Sequence, residues 1–241
     1  MPDGVKPTRG RLYLVGVGPG DPELLTVKAA RILQQVPVIF TPHKDERSAG
    51  YAHRTIDGLV RKSEQQVIGL VFPMVRDEKK LLAYQQQAAE SIWQHLEKGD
   101  DCAFVNIGDP YLYGTAIYVL KMLQAAHPDV DIEVVPGISS INAAAARAGV
   151  PLAINDERIA IISGHCADSF IRETLETFDT VIFLKVNSVF DRLLGILEEK
   201  KLLANAVYVD RCTTEDELIV HDIRTLKGRK LDYLSLLIVR K

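Results

Sequence analysis

Short runs of apolar residues alternate along the chain with longer stretches in which apolar residues recur at helical spacing. The runs Leu12–Val17 and Cys102–Ile107 are almost entirely apolar, which is typical of strands buried inside a parallel sheet. Between Lys79 and Lys98, apolar residues such as Leu81 and Ile92 fall close to one helical face. This alternation predicts an α/β fold.

The same patterns extend along the whole chain, and the later strands are separated by fewer helices, so we expect a mixed sheet in the second half. The polar stretch Pro42–His53 is predicted to be a loop. Further strands are predicted at Val36–Phe40, Gln66–Phe72, Ile132–Val135, Arg158–Ser163, Thr180–Lys185, Ala206–Asp210, Leu218–His221 and Tyr233–Arg240, and further helices at Leu24–Gln34, Thr115–Ala126, Ala143–Ala146, Ser169–Thr177 and Val189–Lys200.

A polar interruption at His127–Asp129 divides this pattern in two. We therefore predict two domains, an N-terminal α/β domain over residues 1–127 and a C-terminal α/β domain over residues 128–241. The length of 241 residues suits this division, since a domain has on average about 150 residues or fewer.

The composition narrows the class of protein. Apolar residues make up 47% of the chain and charged residues 25%, a balance that excludes intrinsic disorder. No apolar run reaches the ~18 residues of a membrane span, and Met1–Arg11 lacks the apolar core of a secretory signal. A net charge of −3 argues against a nucleic-acid partner. We expect a cytoplasmic protein with no membrane partner.

The cysteines and histidines show no metal-binding pattern. Cys102, Cys166 and Cys212 are far apart, without a Cys-x-x-Cys pair, and the histidines lack His-x-x-x-His spacing. The sequence therefore predicts neither a disulfide framework nor a metal held by the protein.

The first motif, Gly16–Thr26, begins with a glycine-rich turn between a predicted strand and a predicted helix. This context is typical of a phosphate or dinucleotide site. The spacing differs from Gly-x-Gly-x-x-Gly, and no Gly-Lys-Ser/Thr follows, so the turn is neither a dinucleotide fingerprint nor a P-loop. A tight strand–helix connection explains it equally well.

The second and third motifs also follow predicted strands. The second motif, Asn106–Thr115, combines glycine, a carboxylate and two tyrosines at the end of a strand where open α/β sheets bind ligands. The third motif, Val135–Asn142, places Ser139 and Ser140 at a helix start, where free amides hold anions. A turn and a simple helix cap are the alternative interpretations.

The three motifs, in this order and over the full length of the chain, resemble the tetrapyrrole methylase family. The resemblance implies two α/β domains with S-adenosylmethionine bound in the cleft between them, a product S-adenosylhomocysteine, and a homodimer. Within the family, the segments Phe72–Asp77, Gly108–Tyr113, Pro136–Ala145 and Tyr233–Lys241 are similar to enzymes that methylate carbon 20 of precorrin-2 or cobalt-factor II in cobalamin biosynthesis. Gly114 departs from the serine expected there.

The resemblance also implies which residues contact the cofactor. These positions lie in the three motifs and along the later strands: Pro19, Gly108, Asp109, Tyr113, Ser139, Ser140, Lys185, Cys212, Leu236 and Leu237.

The reaction needs alignment more than a protein nucleophile, because the sulfonium is already an excellent leaving group. The acceptor carbon loses a proton, so a general base or an electrostatic partner would help. Asp109 is the first candidate for this catalytic role, and Tyr233 is the second.

The tetrapyrrole substrate carries many carboxylates, whereas the protein is net acidic, so local cations must bind it. Basic residues are grouped after the second predicted strand, and another follows Phe72. We expect the substrate to be bound by Lys44, Arg47, Arg54 and Arg76, with His43 and His53 nearby. A solvated loop is the alternative.

Other functions remain open at this point. One is a different tetrapyrrole methylase, such as uroporphyrinogen III methyltransferase, although its usual Gly-Gly-Asp-Pro is Ile107–Pro110 here, without the first glycine. Another is a nucleotide-binding module without catalysis.

Overall fold

The computed structural model describes residues 9–45, 50–73 and 77–241. The chain forms two compact units, of which the first ends at Ser139 and the second covers Ser140–Lys241. The boundary expected after residue 127 falls too early, because the strand Ile132–Val135 pairs in parallel with Leu12–Gly16 and completes the first sheet.

The first unit contains a five-stranded sheet in the order β3-β2-β4-β1-β5, and every pair of neighbours is parallel. The strands are β1 (Leu12–Gly16), β2 (Val38–His43), β3 (Gln66–Val71), β4 (Cys102–Asn106) and β5 (Ile132–Val135). All five residues of β4 are buried, as the apolar run predicts for a central parallel strand.

Helices cover both faces of this sheet. Helices α1 (Val27–Gln35) and α2 (Tyr51–Ile56) pack with one hydrophobic cluster, and α3 (Glu78–Leu96) and α4 (Ala116–Ala126) pack with the other. Strands β1 and β4 are adjacent, but the helices that follow them lie on opposite faces. Such a point, where the connections diverge, opens a crevice in which α/β sheets bind ligands.

The predicted loop Pro42–His53 is partly regular structure. Strand β2 continues to His43 beside β3, and α2 begins at Tyr51. The Phe72 N–H donates to the His43 carbonyl (2.8 Å), so strand alternation directs the Pro42 nitrogen away from β3. Pairing with β4 ends at Phe40, and the missing N–H of Pro42 therefore costs no ladder hydrogen bond.

The second unit contains another five-stranded sheet, in the order β6-β7-β10-β8-β9. Only β6 and β7 are parallel, and the other pairs are antiparallel, which confirms the expected mixed sheet. Its elements are α5 (Ser140–Ala148), β6 (Ile159–Ser163), α6 (Asp168–Thr177), β7 (Thr180–Leu184), α7 (Phe190–Glu199), β8 (Ala206–Asp210), β9 (Leu218–Val220) and β10 (Ser235–Arg240).

The core of the second unit lies between this sheet and helices α6 and α7. Phe183, Tyr208 and Leu237 point into it from three neighbouring strands. Helix α5 packs against β8 and buries Ile141 and Ala144.

The described part of the chain has neither a membrane-spanning helix nor a metal cluster. No helix there is both long and apolar enough to cross a membrane. No three His, Cys, Asp or Glu side chains there are grouped so that they could hold a metal ion.

Candidate functional site

Three loops of the first unit meet through glycine backbones. A Cβ atom added to Gly16 would lie 2.6 Å from the Gly137 nitrogen and 2.7 Å from the Gly108 oxygen. Those distances are far inside van der Waals contact, so only glycine allows the loops after β1, β4 and β5 to approach this closely. The carboxyl ends of these strands are thereby joined into one surface.

The glycine turn after β1 is bound to the loop after β4. Gly18 and Gly108 form an isolated antiparallel bridge, in which the Gly108 N–H donates to the Gly18 carbonyl (2.7 Å). Both glycines have positive φ, 76° and 70°, a conformation that side chains oppose. Pro19 follows directly and is buried.

Asn106, the last residue of β4, organises the loop that follows it. Its side-chain nitrogen donates to the Ile107 carbonyl (2.7 Å) and the Asp109 carbonyl (3.2 Å). Its side-chain oxygen accepts the Ala116 N–H (3.3 Å) at the start of α4, where Thr115 makes no side-chain cap bond. Asn106 therefore supplies the helix cap from the neighbouring strand. From the sequence, Asn106 was placed at the start of the second motif but was assigned no role, although a lone amide in an apolar run is a usable signal.

Asn106 also explains why glycine occupies position 114. A Cβ atom there would lie 2.5 Å from the Pro110 carbonyl oxygen and 2.8 Å from the Asn106 side-chain oxygen. The expected serine has no space in this loop, so Gly114 belongs to the local packing.

Asp109 connects two of the three loops. One carboxylate oxygen accepts the Tyr111 N–H (2.9 Å), and the other accepts the Gly137 N–H (3.1 Å) in the loop after β5. Both oxygens are thus bound to backbone amides, which gives Asp109 the geometry of a positioning residue. Tyr111 and Tyr113 are exposed beside it.

Strained backbone conformations occur at two predicted cofactor residues and on both sides of a third. Six non-glycine residues of the described chain have positive φ, among them Tyr113 (55°), Lys185 (58°), Arg211 (45°) and Thr213 (66°). Tyr113 and Lys185 are predicted cofactor residues, and the other two flank Cys212. Such conformations cost about 1–3 kcal/mol each and cluster at ligand sites.

Cys212 is buried after β8, and burial raises the pKa of its thiol to about 12. The thiol therefore stays protonated at neutral pH, and the residue is not an activated nucleophile.

Leu236 and Leu237 are both buried in β10, but they point to opposite faces of the sheet. The Leu237 side chain belongs to the core beneath α6 and α7. Because neighbouring strand residues face opposite sides, the two side chains cannot line one pocket. Tyr233 is exposed and precedes β10, which begins at Ser235 rather than at Tyr233.

The structure describes two of the four predicted substrate-binding residues. Lys44 is exposed just after β2. Arg54 is exposed on α2, with its guanidinium 5.6 Å from the centre of the Tyr51 ring. Arg47 and Arg76 lie outside the described residues.

His43 is half-buried and, unlike the cations Lys44 and Arg54, it disfavours the positively charged form. Burial, and then the neighbouring His53, lower its pKa. The ring bonds to the Thr41 hydroxyl (2.7 Å) and lies edge-on to His53, with 6.1 Å between ring centres. Protonation is thus disfavoured at His43, which makes it a poor site for a substrate carboxylate.

The family description "Tetrapyrrole (Corrin/Porphyrin) Methylases" matches residues 11–226 of this chain. The chain belongs to the tetrapyrrole methylase family. The family expected from the three motifs is therefore confirmed, and the sequence-predicted fold class agrees with this family.

This tetrapyrrole methylase has curated relatives over nearly its whole length. It is 34% identical to the probable cobalt-precorrin-2 C(20)-methyltransferase of Methanocaldococcus jannaschii, with 96% of each chain covered. It is 31% identical to the cobalt-precorrin-2 C(20)-methyltransferase of Salmonella typhimurium, covering 96% of this chain and 97% of the relative. A precorrin-2 C(20)-methyltransferase of Sinorhizobium is 31% identical, with 95% of each covered.

Solved structures share the fold of this tetrapyrrole methylase. Cobalt precorrin-4 methyltransferase CbiF matches with a TM-score of 0.71 at 22% identity, covering 95% of this chain and 94% of the other. Uroporphyrin-III C-methyl transferase from Thermus thermophilus, solved with S-adenyl homocysteine, matches with a TM-score of 0.65 at 23% identity, covering 96% and 98%.

Proposed function

We propose that this tetrapyrrole methylase transfers a methyl group from S-adenosylmethionine to carbon 20 of precorrin-2 or of its cobalt-containing form. The observation that carries the proposal is similarity of 31–34% identity over at least 95% of the chain to three proteins named for this reaction. Any cobalt enters as part of the substrate.

The glycine loops of the first unit support cofactor binding. The glycine backbones at Gly16 and Gly137 bring the loops after β1, β4 and β5 together at the carboxyl edge of the first sheet, which is where open α/β sheets bind ligands. When bound, S-adenosylmethionine supplies a methyl group on a sulfonium with a good leaving group. We assign the cofactor contacts to Pro19, Gly108, Asp109, Tyr113, Ser139, Ser140, Lys185, Cys212, Leu236 and Leu237. Of the two leucines, Leu236 is the one whose side chain points away from the core beneath α6 and α7.

Asp109 has an electrostatic and positioning role in this proposal. Its carboxylate holds the loops after β4 and β5 together through two backbone amides. A negative charge fixed in this way stabilises nearby positive charge without changing geometry during the reaction. Tyr233 is the second candidate and would polarise the tetrapyrrole through its hydroxyl.

Lys44 and Arg54, together with Arg47 and Arg76, are proposed to bind substrate carboxylates. Lys44→Ala and Arg54→Ala should each raise the substrate KM several-fold, about 1 kcal/mol per exposed charge pair, and should leave cofactor affinity unchanged. Lys98→Ala, at an exposed lysine beyond the end of α3, is the matched control. An unchanged KM in both variants would remove these residues from the substrate site.

A homodimer in the cytoplasm completes the proposal, and it is supported by the family resemblance. Light scattering coupled to size exclusion measures the oligomeric state directly. A monomeric mass at the concentration of the activity assay would contradict the dimer.

The assay that tests the function offers labelled S-adenosylmethionine with three acceptors under anaerobic conditions: precorrin-2, cobalt-factor II and uroporphyrinogen III. Transfer to either of the first two supports the proposal and tells which form is used. Transfer only to uroporphyrinogen III would replace the proposed acceptor. Cofactor binding without transfer to any acceptor would favour a non-catalytic module.

A further inference from the structure

One ion pair of the second unit joins two segments that are distant in sequence. The Arg147 guanidinium, in the last turn of α5, contacts both carboxylate oxygens of Glu217. Its Nε lies 2.9 and 3.1 Å from them, and one Nη lies 2.6 Å from Oε1. This two-point geometry fixes the direction of the carboxylate as well as its position.

The same carboxylate holds the turn that contains Cys212. The second oxygen of Glu217 accepts the Thr213 N–H (2.7 Å). Thr213 has a φ of 66° and Arg211 a φ of 45°, and positive φ at a β-branched residue such as threonine is a genuine outlier. The Thr214 hydroxyl donates to the Arg211 carbonyl (2.8 Å) and closes the turn.

Burial distinguishes this pair from an ordinary surface ion pair. The Glu217 side chain is 11% exposed, whereas that of Arg147 is 58% exposed. An exposed ion pair contributes little to stability. The Glu217 carboxylate is mostly shielded from solvent and bonds both the guanidinium and the strained Thr213 amide, so removing one partner also weakens the bond to the other.

We propose that Arg147 and Glu217 are positioning residues that hold the Cys212 turn in its strained conformation against α5 and thereby set cofactor affinity. The inference rests on the proposed function, in which Ser140 at the start of α5 and Cys212 both contact the cofactor. Neither Arg147 nor Glu217 needs to touch the ligand.

The test compares cofactor binding in matched variants of the full chain. Binding of S-adenosylhomocysteine and S-adenosylmethionine is measured by calorimetry, and unfolding temperature is measured alongside. Glu217→Ala should weaken binding about tenfold, or about 1.4 kcal/mol. Glu217→Gln should weaken it less, since its amide oxygen still accepts the Thr213 N–H. Arg147→Ala should fall between the two.

Arg172→Ala is the control, because it removes an arginine–carboxylate pair between α6 and α7, where Arg172 contacts the more exposed Glu199 (3.0 Å). It should lower the unfolding temperature only slightly and leave cofactor affinity unchanged. The KM for the tetrapyrrole at saturating cofactor should be the same in all variants.

A rescue experiment separates positioning from general loss of stability. Glycine adopts positive φ without strain, so Glu217→Ala should weaken binding less in a Thr213→Gly background than in the wild-type background. Hydrogen exchange at the Thr213 amide should accelerate in Glu217→Ala and stay slow in Glu217→Gln and Arg172→Ala.

Different results overturn different claims. If the wild-type chain binds neither cofactor form, the proposed function is wrong, and the exchange rates still decide whether the pair holds the turn. If the wild type binds and Glu217→Ala binds equally well, the positioning role is wrong. Equal affinity losses in Glu217→Ala and Arg172→Ala would likewise show that the Arg147–Glu217 pair only stabilises the fold.

Discussion

Single glycines determine how closely the loops of the first unit pack. At Gly114, the space that a side chain would need is already occupied by the Asn106 side chain and the Pro110 carbonyl. A Cβ atom at this position would lie 2.8 Å from the Asn106 side-chain oxygen and 2.5 Å from the Pro110 carbonyl oxygen. Gly114→Ala should therefore lower stability by about 1–3 kcal/mol and weaken cofactor binding, because the loop that carries Asp109 and Tyr113 must move.

Gly195→Ala is the control for that substitution, because a Cβ atom added there meets nothing within 4 Å. In the middle of α7, alanine should stabilise by about 0.5–1 kcal/mol. Chemical unfolding measures both variants. Equal stability of Gly114→Ala and the wild type would contradict the described loop.

Asp109 provides a second prediction. In Asp109→Asn, the side-chain nitrogen must face either the Tyr111 or the Gly137 N–H, both of which now donate to the carboxylate. One of these two backbone donors then loses its partner, at a cost of about 0.5–1.5 kcal/mol. Cofactor affinity should fall, and the shape of the pH–rate profile should not change.

Asp129→Asn, at an exposed carboxylate beyond α4, should change neither quantity. Normal cofactor affinity in Asp109→Asn, combined with loss of one limb of the pH–rate profile, would instead identify Asp109 as a general base.

Asp210 at the end of β8 predicts a stability change with pH. It is 4% exposed, and burial raises its pKa although Arg211 opposes the shift. The folded state therefore holds the proton more tightly than the unfolded state, and stability decreases as pH rises through this window. Asp210→Asn, which resembles the protonated acid, should be more stable than the wild type at neutral pH.

That advantage should disappear as the pH falls below the ordinary aspartate value of 3.8. Thermal unfolding over a pH series measures it. A lower unfolding temperature for Asp210→Asn at neutral pH would show that the contact with Arg211 outweighs burial.

For individual residues, the sequence indicated which residue types follow each strand better than it indicated the contacts that they make. Gly108, Asp109 and Tyr113 were proposed as site residues because glycine, carboxylate and aromatic residues follow one apolar strand, and they remain a proposal. The roles of Asn106 and Glu217 were missed, because each depends on backbone groups that only the fold brings near. The opposite directions of Leu236 and Leu237 follow from strand alternation and were predictable.

Among the elements, strands with continuous apolar runs were predicted to within a few residues, as β4 and β8 show. The segment after β2 was predicted wrongly as a loop. Its polar residues include the end of a strand that pairs on one side only, and then a short helix. Helix α2 buries Ala52, Thr55 and Ile56, a set too small to produce a clear helical pattern.

The His43–His53 contact makes the packing of α2 sensitive to pH. His53 on α2 faces His43, and Asp45 and Asp57 are the nearby carboxylates. Since the pKa of His43 is lowered in the folded state, its contribution to stability is present above its ordinary value of 6.5 and is lost as the pH falls. Acidification should therefore speed hydrogen exchange of the α2 amides, after correction for the intrinsic rate.

His43→Gln should remove much of this pH dependence, because glutamine keeps a polar partner for Thr41 without gaining charge. His221→Gln, at an exposed histidine after β9, should behave like the wild type. Exchange of the α2 amides that is independent of pH in the wild type would contradict the role of His43.

For the whole molecule, the alternation of strands and helices correctly predicted an α/β chain with a mixed second sheet. The division between the units was misplaced because His127–Asp129 is a turn within the first unit, and β5 returns to pair beside β1. A turn between elements and a linker between units have the same polar composition, so sequence pattern alone does not distinguish them.

The position of the transferred methyl group tests the central claim most directly. The wild-type chain is incubated with precorrin-2 or cobalt-factor II and isotope-labelled S-adenosylmethionine, and the product is examined by NMR and mass spectrometry. The account predicts one added methyl group, located at carbon 20. A methyl group at any other carbon, or no transfer by a chain that binds the cofactor, would contradict it.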